Sequence, residues 1–314
     1  MSPIFIVGCP RSGTTLLALM LDKSSSLNVT LESGFLPELE RKSQDYGDFA
    51  SAKERWYFIR DLQNFNATSS TKAFDIFEIS EHEAEEAIRN VAPVDYAGAA
   101  DAIFKADAVK MGAERWANKT PKYVLKIDKL AEMFPQGQFI HLVRDPRDVA
   151  ASIVRAGWAS TFREATQIWV EHLKAGREAR RNLSDHRYFE VKYENLVLNP
   201  IEEVKEVRKW SGLKLGKNSL EFYKKSEKKV QDEHDDLFPL INKPIDRSRA
   251  YAWHRELSDT NISDVEKISK REMKEVGYSL TKKRLPLSTW CIRKTYNAMY
   301  ELGENAKSMF EGYL

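Results

Sequence analysis

Strand-like and helical stretches alternate along the chain in an order typical of an α/β fold. Residues 4–7 are β-branched or aromatic and end at Gly8, which predicts a buried strand, and the Leu- and Ala-rich stretch 14–22 predicts the helix after it. Residues 138–143 and 188–193 predict two further strands. Because each of these strands precedes a helical stretch, we expect a central parallel sheet.

The segment 35–110 departs from this alternation, because its pattern is helical and no strand interrupts it. Ser80 followed three residues later by Glu83 is a capping-box signature. We expect this segment to be a wall beside the sheet, inside one domain over 1–284 that is followed by a peripheral helical tail over 285–314. Helices are predicted at 35–42, 53–62, 80–90, 93–107, 121–134, 145–155, 162–181, 200–211, 218–225 and 263–276, and a solvated loop at 224–236.

Charge and composition narrow the class of protein. The 49 Lys and Arg residues against 47 Asp and Glu residues leave a formal charge of +2, which argues against a nucleic-acid partner but not against a small anionic ligand. The two cysteines, Cys9 and Cys291, cannot form a disulfide framework. No apolar run reaches the roughly 18–20 residues of a membrane span, and no signal peptide is recognisable. These features predict a cytoplasmic protein.

The turn between the first strand and its helix is the first candidate for chemistry. Backbone N–H groups of such a turn converge on one point, and the helix N-terminus adds positive potential there. Arg11 adds a full charge, so the turn predicts a phosphate-binding loop rather than an ordinary strand connection. The ATP-type signature G-x-x-x-x-G-K-[ST] is absent, and we expect no metal. The candidate cofactor-binding residues of the loop are Gly8, Pro10, Arg11, Ser12, Gly13, Thr14 and Thr15.

The second candidate follows the strand at 138–143. That strand ends at Arg144, and Ser152 lies eight residues further on in the predicted helix. Both side chains can face one anion beyond the carboxyl end of the sheet, where ligands bind in this class of fold. The alternative is that Arg144 forms a structural ion pair with Asp145. The residues alone leave both interpretations open.

Together, the loop at 10–15 and the segment 142–152 resemble the two cofactor motifs of sulfotransferases that use 3′-phosphoadenosine-5′-phosphosulfate (PAPS). In that family the first motif holds the 5′-phosphosulfate and the second the 3′-phosphate. The form Arg-Ser-Gly-Thr-Thr is similar to the tyrosylprotein sulfotransferase branch and its bacterial relatives. The resemblance covers roughly residues 3–280. It implies a P-loop-containing three-layer α/β fold, with a central parallel sheet and a helical insertion that forms the acceptor wall.

The resemblance also implies the catalytic residues Glu32, Arg11 and Lys119. Glu32 lies 21 residues after Arg11, directly after a predicted strand end at 29–31, and would be the general base. Lys119 belongs to an Asn-Lys-x-Pro segment and would assist transfer. The structural alternative for Glu32 is a role in the dipole of the helix that Ser33 would cap.

Three further cofactor contacts are implied, namely Tyr193 in the segment 191–196 and Ser248 and Trp253 in the loop 243–253. Two positions depart from the tyrosylprotein enzymes: Tyr251 stands where they carry Ser, and Ala156, next to Arg155, stands where they carry Arg.

Histidine is the alternative base, because the cytosolic sulfotransferases use one. His254 follows Trp253 in the cofactor loop and is the candidate, whereas His141 lies inside a predicted strand and is expected to be a core residue. The remaining histidines are expected to be solvated; they are His82, His172, His186 and His234.

The implied reaction is in-line, metal-free transfer of a sulfuryl group to a hydroxyl of a carbohydrate, lipid, peptide or small metabolite. Two alternatives remain: a P-loop kinase or NTPase, and a non-catalytic nucleotide-binding module on the same fold. The aromatic residues of the helical segment are expected to pack in the core, with contact to the acceptor as the alternative; they are Trp56, Tyr57, Phe65, Phe74 and Phe77.

Overall fold

One parallel five-stranded sheet organises the protein. The structure is a computed structural model and describes residues 2–22, 26–214 and 244–281. The strands lie in the order β2-β3-β1-β4-β5, and every neighbouring pair is parallel, as predicted. The strands are β1 (Ile4–Gly8), β2 (Leu27–Thr30), β3 (Arg115–Lys119), β4 (Gln138–Val143) and β5 (Tyr188–Lys192).

Helices cover both faces of this sheet. Alternate residues of β1 point to opposite faces, so the strand packs against both helical layers. Phe5 and Val7 belong to an aromatic-rich cluster shared with the segment 35–110, whereas Ile4 and Ile6 belong to an aliphatic cluster on the other face. This confirms the three-layer arrangement. The helices are α1 (Thr14–Asp22), α2 (Leu36–Leu39), α3 (Ala52–Asn64), α4 (Glu81–Arg89), α5 (Tyr96–Lys110), α6 (Ile127–Met133), α7 (Pro146–Arg155), α8 (Phe162–Asn182), α9 (Tyr193–Leu198), α10 (Pro200–Ser211), α11 (Trp253–Glu256) and α12 (Asp259–Glu275).

Strand β3 is the main element that the sequence pattern did not predict. Its residues Arg-Trp-Ala-Asn-Lys do not alternate between apolar and polar, yet all five are buried between β1 and β2. Arg115 is satisfied there by the carbonyl of Ser211 and the side chain of Gln138. Lys119 and Asn118 lie at the carboxyl end of the strand, where the functional site begins.

Two predicted helices are shorter than expected. The helix predicted at 35–42 is a single turn of α-helix, α2, followed by a 3₁₀ segment at Glu40–Tyr46. Ser33 does not cap it, because its hydroxyl contacts Asn118 and Tyr123 instead. The helix predicted at 121–134 begins as a 3₁₀ segment, Pro121–Lys126, and only then becomes α6.

The segment 35–110 packs as a helical layer around aromatic rings. Phe104 of α5 is fully buried and stacks on Trp116 at 4.2 Å between centroids and on Phe35 at 5.9 Å. Phe74 and Phe77 are buried in the same cluster, as expected. The Ser80–Glu83 capping box is present at the start of α4. In contrast to the core expectation, Trp56 is 53% exposed.

Some predicted elements lie outside the described residues: the helix at 218–225, the loop at 224–236 and the tail at 285–314. Lys243, at the start of the predicted cofactor loop, also lies outside them. None of the helices in the described residues combines the length and apolar character needed to cross a membrane.

Candidate active site

The carboxyl ends of four neighbouring strands meet at one edge of the sheet, and most of the predicted site residues lie there. Arg11 belongs to the loop after β1, Glu32 follows β2, Lys119 ends β3 and Arg144 follows β4. The parallel topology explains this convergence, because it brings every strand-to-helix connection to the same edge.

The loop after β1 has two glycines that no other residue could replace without movement of its neighbours. Gly8 has φ +153°, and a Cβ there would lie 2.5 Å from the carbonyl oxygen of Leu142. Gly13 has φ +96°, and a Cβ there would lie 2.4 Å from the ring of Tyr193. The N–H of Ser12 closes the turn on the carbonyl of Cys9 at 3.1 Å. These glycines let the loop pass close to β4 and let the Tyr193 ring lie over it.

Thr14 and Thr15 begin α1 and are buried, so the loop leads directly into a helix N-terminus. Pro10 and Arg11 form the outer side of the turn. Arg11 has φ +71°, a conformation that costs a non-glycine residue about 1 kcal/mol or more and is typical of functional turns. Its Nε donates to the Oγ of Ser152 at 3.0 Å, which joins the two predicted motifs.

Positive charge is concentrated around Arg11. Burial lowers the pKa of Arg11, neighbouring guanidinium groups lower it further, and the carboxylate of Glu32 raises it. A group of like charges at the mouth of a helix attracts anions strongly. The neighbouring guanidinium groups are those of Arg144, Arg155 and Arg249.

Arg144 is held by backbone groups rather than by its neighbour Asp145. Its Nη1 donates to the carbonyl of Arg11 at 3.2 Å, its Nη2 donates to the carbonyl of Arg249 at 3.1 Å, and its guanidinium lies 4.0 Å from the ring centroid of Tyr193. Asp145 instead makes a two-pronged ion pair with Arg147, at 2.9 and 2.6 Å. The alternative of a structural Arg144–Asp145 pair is therefore wrong.

A contact between Arg147 and Trp253 joins the start of α7 to the C-terminal part of the described chain. The guanidinium of Arg147 also contacts Glu266 of α12 at 2.7 Å and lies 3.6 Å from the ring centroid of Trp253. Trp253 is buried, and its backbone N–H donates to Asp148 at 2.8 Å. The C-terminal segment 244–257 is thus attached to the first turn of α7.

Glu32 and Lys119 form a second charged group at the same edge. The Nζ of Lys119 lies 2.9 Å from Oε1 of Glu32, with 3% of the Lys119 side chain and 36% of the Glu32 side chain exposed. Asn118 fixes the backbone before Glu32, because its amide donates to the carbonyl of Leu31 at 3.0 Å. Glu32 precedes α2, whose first-turn acidic residue is Glu38. The contact that Glu32 makes is therefore with Lys119 rather than with a helix terminus.

Several buried polar atoms at this edge have no hydrogen-bond partner within the described part of the chain. Three of them can donate, namely Oγ of Ser12, Nε of Arg144 and Nε1 of Trp253, and Oδ2 of Asp148 is an acceptor. Buried polar groups are almost always paired, so such atoms call for a partner from outside the chain. Two of the three donors are N–H groups and the third is a hydroxyl, so these three suit an anionic ligand with several oxygens. Oδ2 of Asp148 instead faces Nη2 of Arg144 at 3.8 Å. Clusters of His, Cys, Asp and Glu suited to a metal ion do not occur among the described residues.

The structure leaves Ser248 at the margin. It is exposed in the 3₁₀ turn Arg247–Arg249, and its backbone N–H donates to Asp246 at 2.9 Å. The residue of this turn that reaches the site is Arg249, which was not among the predicted site residues. The signal that could have found it is the density of basic residues at 247–255 in the predicted cofactor loop.

Two departures that the sequence showed have clear structural positions. Tyr251 is half-exposed with φ +56°. Ala156 is the C-cap of α7 and has no charge to offer, while the adjacent Arg155 pairs with Glu256 at 2.5 Å. Arg155 is therefore the arginine on this side of the site.

The histidines that the structure describes are not clustered at this edge. His141 is buried and lies 2.5 Å from the hydroxyl of Tyr188, and burial lowers its pKa to about 3, as suits the expected core residue. His172, expected to be solvated, is instead buried on α8 with Nδ1 2.7 Å from the carbonyl of Ile168. His254 is exposed and stacks on Trp253 at 3.5 Å.

Comparison with known proteins agrees with this geometry. A sequence profile described as "Sulfotransferase family" matches residues 3–217, more than half of the chain. The chain therefore belongs to the sulfotransferase family.

Individual relatives are distant. A protein-tyrosine sulfotransferase of Drosophila melanogaster is 26% identical over 66% of this chain and 37% of its own length. An omega-hydroxy-beta-dihydromenaquinone-9 sulfotransferase of Mycobacterium bovis is 29% identical over 30% of this chain and 28% of its own length. The chain thus matches well under two thirds of either protein.

Among solved structures, the sulfotransferase domain of the Synechococcus PCC 7002 olefin synthase superposes with a TM-score of 0.60. It is 24% identical, and the match covers 89% of this chain and 96% of that one. At this identity the likeness establishes the fold.

Proposed function

We propose that this protein transfers a sulfuryl group from PAPS to a hydroxyl-bearing acceptor. Family membership supports sulfuryl transfer. The observation that carries the choice of donor is the pair of adjoining cationic centres, Arg11 in the loop and Arg144 after β4, joined by the bond from Arg144 Nη1 to the Arg11 carbonyl. A nucleotide with charged groups at both its 5′ and 3′ positions needs two such centres.

The residues present fit this donor. The loop amides and hydroxyls would hold the 5′-phosphosulfate, and Arg144 with Ser152 would hold the 3′-phosphate. The unpartnered atoms of Ser12, Arg144 and Trp253 support this placement, because each can donate to a phosphate or sulfate oxygen. In full, the proposed cofactor-binding residues are Gly8, Pro10, Arg11, Ser12, Gly13, Thr14, Thr15, Arg144, Ser152, Tyr193, Ser248 and Trp253.

The proposed chemistry assigns a role to each of three charged groups. PAPS, when bound, supplies an activated sulfuryl group with adenosine 3′,5′-bisphosphate as the leaving group. Glu32 takes the proton of the acceptor hydroxyl, whose oxygen forms the new bond to sulfur as the bond from sulfur to the phosphate oxygen breaks. Arg11 and Lys119 stabilise the negative charge that develops on that phosphate oxygen, in a site already arranged for it.

Lys119 and Glu32 contact one another in the described structure, which supports this division of roles. The buried ammonium of Lys119 lies 2.9 Å from the Glu32 carboxylate. This contact holds the proposed base next to a cation that would stabilise the leaving group. The Glu32 side chain is 36% exposed, so an acceptor can reach it.

The acceptor would lie between the base and the helical insertion. The ring of Phe65 lies against Gly34, two residues after Glu32, since a Cβ on Gly34 would be 3.4 Å from that ring. This contact supports the insertion as the acceptor wall. The named relatives act on protein tyrosine and on a dihydromenaquinone. We accordingly propose a hydroxyl acceptor and leave carbohydrate, lipid, peptide and small metabolite as the classes to screen.

Calorimetry with two nucleotides tests the donor. We expect adenosine 3′,5′-bisphosphate to bind in EDTA as tightly as in Mg²⁺, and more tightly than ATP. Tighter binding of ATP that depends on Mg²⁺ would identify a kinase or NTPase. A transfer assay with PAPS and a panel of phenols, sterols, sugars and alkyl alcohols then separates an enzyme from a non-catalytic module, which would bind the bisphosphate and transfer to none of them.

A further inference from the structure

Asp148 is an acidic residue at the centre of a site built for anions. It lies in the first turn of α7, four residues after Arg144, and is 4% exposed. Its Oδ1 accepts the backbone N–H of Trp253 at 2.8 Å, a contact between residues 105 positions apart. Its Oδ2 lies 3.8 Å from Nη2 of Arg144. One carboxylate therefore contacts both an arginine of the second motif and the C-terminal segment 244–257.

The surroundings of Asp148 destabilise its ionised form. Burial raises its pKa to about 6 and the neighbouring carboxylates of Asp145 and Glu194 raise it as well, while Arg144 and the hydrogen bond from the Trp253 backbone lower it. The adjacent Arg147 is already paired with Asp145 and Glu266. A buried carboxylate in such a place does not contribute to stability by itself, so the two contacts it makes have to explain its position.

Those two contacts join parts of the site that are otherwise far apart in the chain. The same Nη2 of Arg144 that faces Asp148 also donates to the carbonyl of Arg249, which lies four residues before Trp253. The C-terminal segment thus reaches Arg144 directly through Arg249 and indirectly through the Asp148 carboxylate. Loss of Asp148 would release the Trp253 backbone and leave Arg144 with fewer constraints on its orientation.

We propose that Asp148 is a positioning residue for nucleotide binding. Its carboxylate fixes the Trp253 backbone and the Arg144 guanidinium relative to each other, so that the segment 244–257 stays over the second motif. The inference rests on the proposed function, because it assumes that Arg144 receives the 3′-phosphate. Asp148 need not touch the nucleotide to act in this way.

Two substitutions at one position separate positioning from simple stability. Asp148→Asn keeps an oxygen that can accept the Trp253 N–H, whereas Asp148→Ala removes it. We expect Asp148→Ala to weaken binding of adenosine 3′,5′-bisphosphate about tenfold or more while binding of adenosine 5′-monophosphate changes less than about threefold. Asp148→Asn should restore most of the bisphosphate affinity. Asp128→Asn is the matched control, because Asp128 lies in the first turn of α6 and is exposed.

Calorimetric binding of both nucleotides decides the matter. Equal losses for the two nucleotides in Asp148→Ala, or an Asp148→Asn variant as weak as Asp148→Ala, would overturn the positioning role. Wild-type-like binding in both variants would overturn it too, with the proposed function intact. A wild-type protein without preference for the bisphosphate would remove the proposed function and this inference together.

Hydrogen exchange on the wild-type protein tests the same idea if Asp148→Ala does not fold. The Trp253 amide should exchange slowly, and adenosine 3′,5′-bisphosphate should slow it further while adenosine 5′-monophosphate does not. Exchange at the rate of exposed amides in the same segment, or equal protection by both nucleotides, would contradict the proposal.

Discussion

The helical insertion and the region around the second motif are both buried, but they bury opposite kinds of side chain. The insertion packs aromatic rings such as Phe35, Phe58 and Phe104 against the sheet. The second motif buries two carboxylates and two guanidinium groups, each less than 9% exposed: those of Asp145, Asp148, Arg144 and Arg147. The insertion is a packed hydrophobic layer, and the region around the second motif is a candidate binding centre.

The energetic consequence differs accordingly. Each buried ring removes about 150–250 Å² of mostly apolar surface from water and is among the strongest contributors to stability. Buried ion pairs gain much less, because desolvation offsets most of their mutual attraction. Because buried charges contribute so little to stability, their concentration at the carboxyl edge of the sheet is better explained by function.

The largest expected effect is on catalysis. Glu32→Gln keeps the shape of the proposed base and removes its ability to accept a proton, so kcat should fall by about 10²–10⁴. Nucleotide affinity and melting temperature should change little. The loss should be larger for an aliphatic alcohol than for a phenol, whose lower pKa requires less help.

Glu38→Gln is the matched control for this change, because Glu38 lies in the first turn of α2. It should leave kcat unchanged. A Glu32→Gln enzyme with near-normal kcat on every acceptor would move the base elsewhere, and the exposed imidazole of His254 would be the next candidate.

The next effect concerns the insertion. Phe104→Ala should lower the free energy of unfolding by about 3–5 kcal/mol, because it opens a cavity between Trp116 and Phe35. Binding of adenosine 3′,5′-bisphosphate to the folded variant should be unchanged. Urea unfolding and calorimetry measure the two quantities, and Val109→Ala on the exposed face of the same helix, where Val109 is 73% exposed, should cost less than about 0.5 kcal/mol.

A Phe104→Ala variant with normal stability would mean that the insertion is not held by its aromatic cluster. One that stayed folded but lost bisphosphate affinity would contradict the separation of wall and binding centre.

The sequence predicted the parts of the fold that follow simple periodicity. β1, β4 and β5 carry apolar or alternating residues, and α3, α4 and α8 carry helical spacing with recognisable caps. β3 escaped because its Arg, Asn and Lys are polar residues that the sheet buries with specific partners. No local pattern announces such a strand, since its hydrogen-bond partners come from residues remote in the chain.

The site shows the same limit. The loop after β1 could be predicted because its glycines, Arg11 and hydroxyls are contiguous. The pairing of Asp145 with Arg147 rather than with Arg144 could not, because it depends on side-chain directions in the first turn of α7. Arg249 and Asp148 were missed for a similar reason: each acts through a tertiary contact between the stretch 144–148 and a segment about a hundred residues away.

The third prediction examines the binding centre directly. Arg144→Ala removes a charge-assisted contact worth about 1.5–3 kcal/mol, so affinity for adenosine 3′,5′-bisphosphate should fall about tenfold to a hundredfold. Affinity for adenosine 5′-monophosphate should hardly change. Calorimetry with both nucleotides gives the comparison.

Arg147→Ala is the informative counterpart. It should instead lower stability, because Asp145 and Glu266 would lose their shared partner. An equal loss for both nucleotides in Arg144→Ala would assign Arg144 to the scaffold as well.

The smallest predicted effect is a pH dependence of stability that belongs to the binding centre and not to the wall. The pKa of Asp148 is raised from 3.8 to about 6, chiefly by burial. A carboxyl group with a raised folded-state pKa stabilises the native protein fully below pH 3.8, and this contribution is lost as pH rises through about 6. Asp148→Asn cannot ionise, so its stability relative to the wild type should increase by about 1 kcal/mol between pH 5 and pH 7.5. Urea unfolding at both pH values measures this difference, and Asp128→Asn should show none. If the difference in unfolding free energy between wild type and Asp148→Asn is the same at both pH values, Arg144 already compensates the Asp148 carboxylate. The binding centre would then respond to pH no more than the aromatic insertion does.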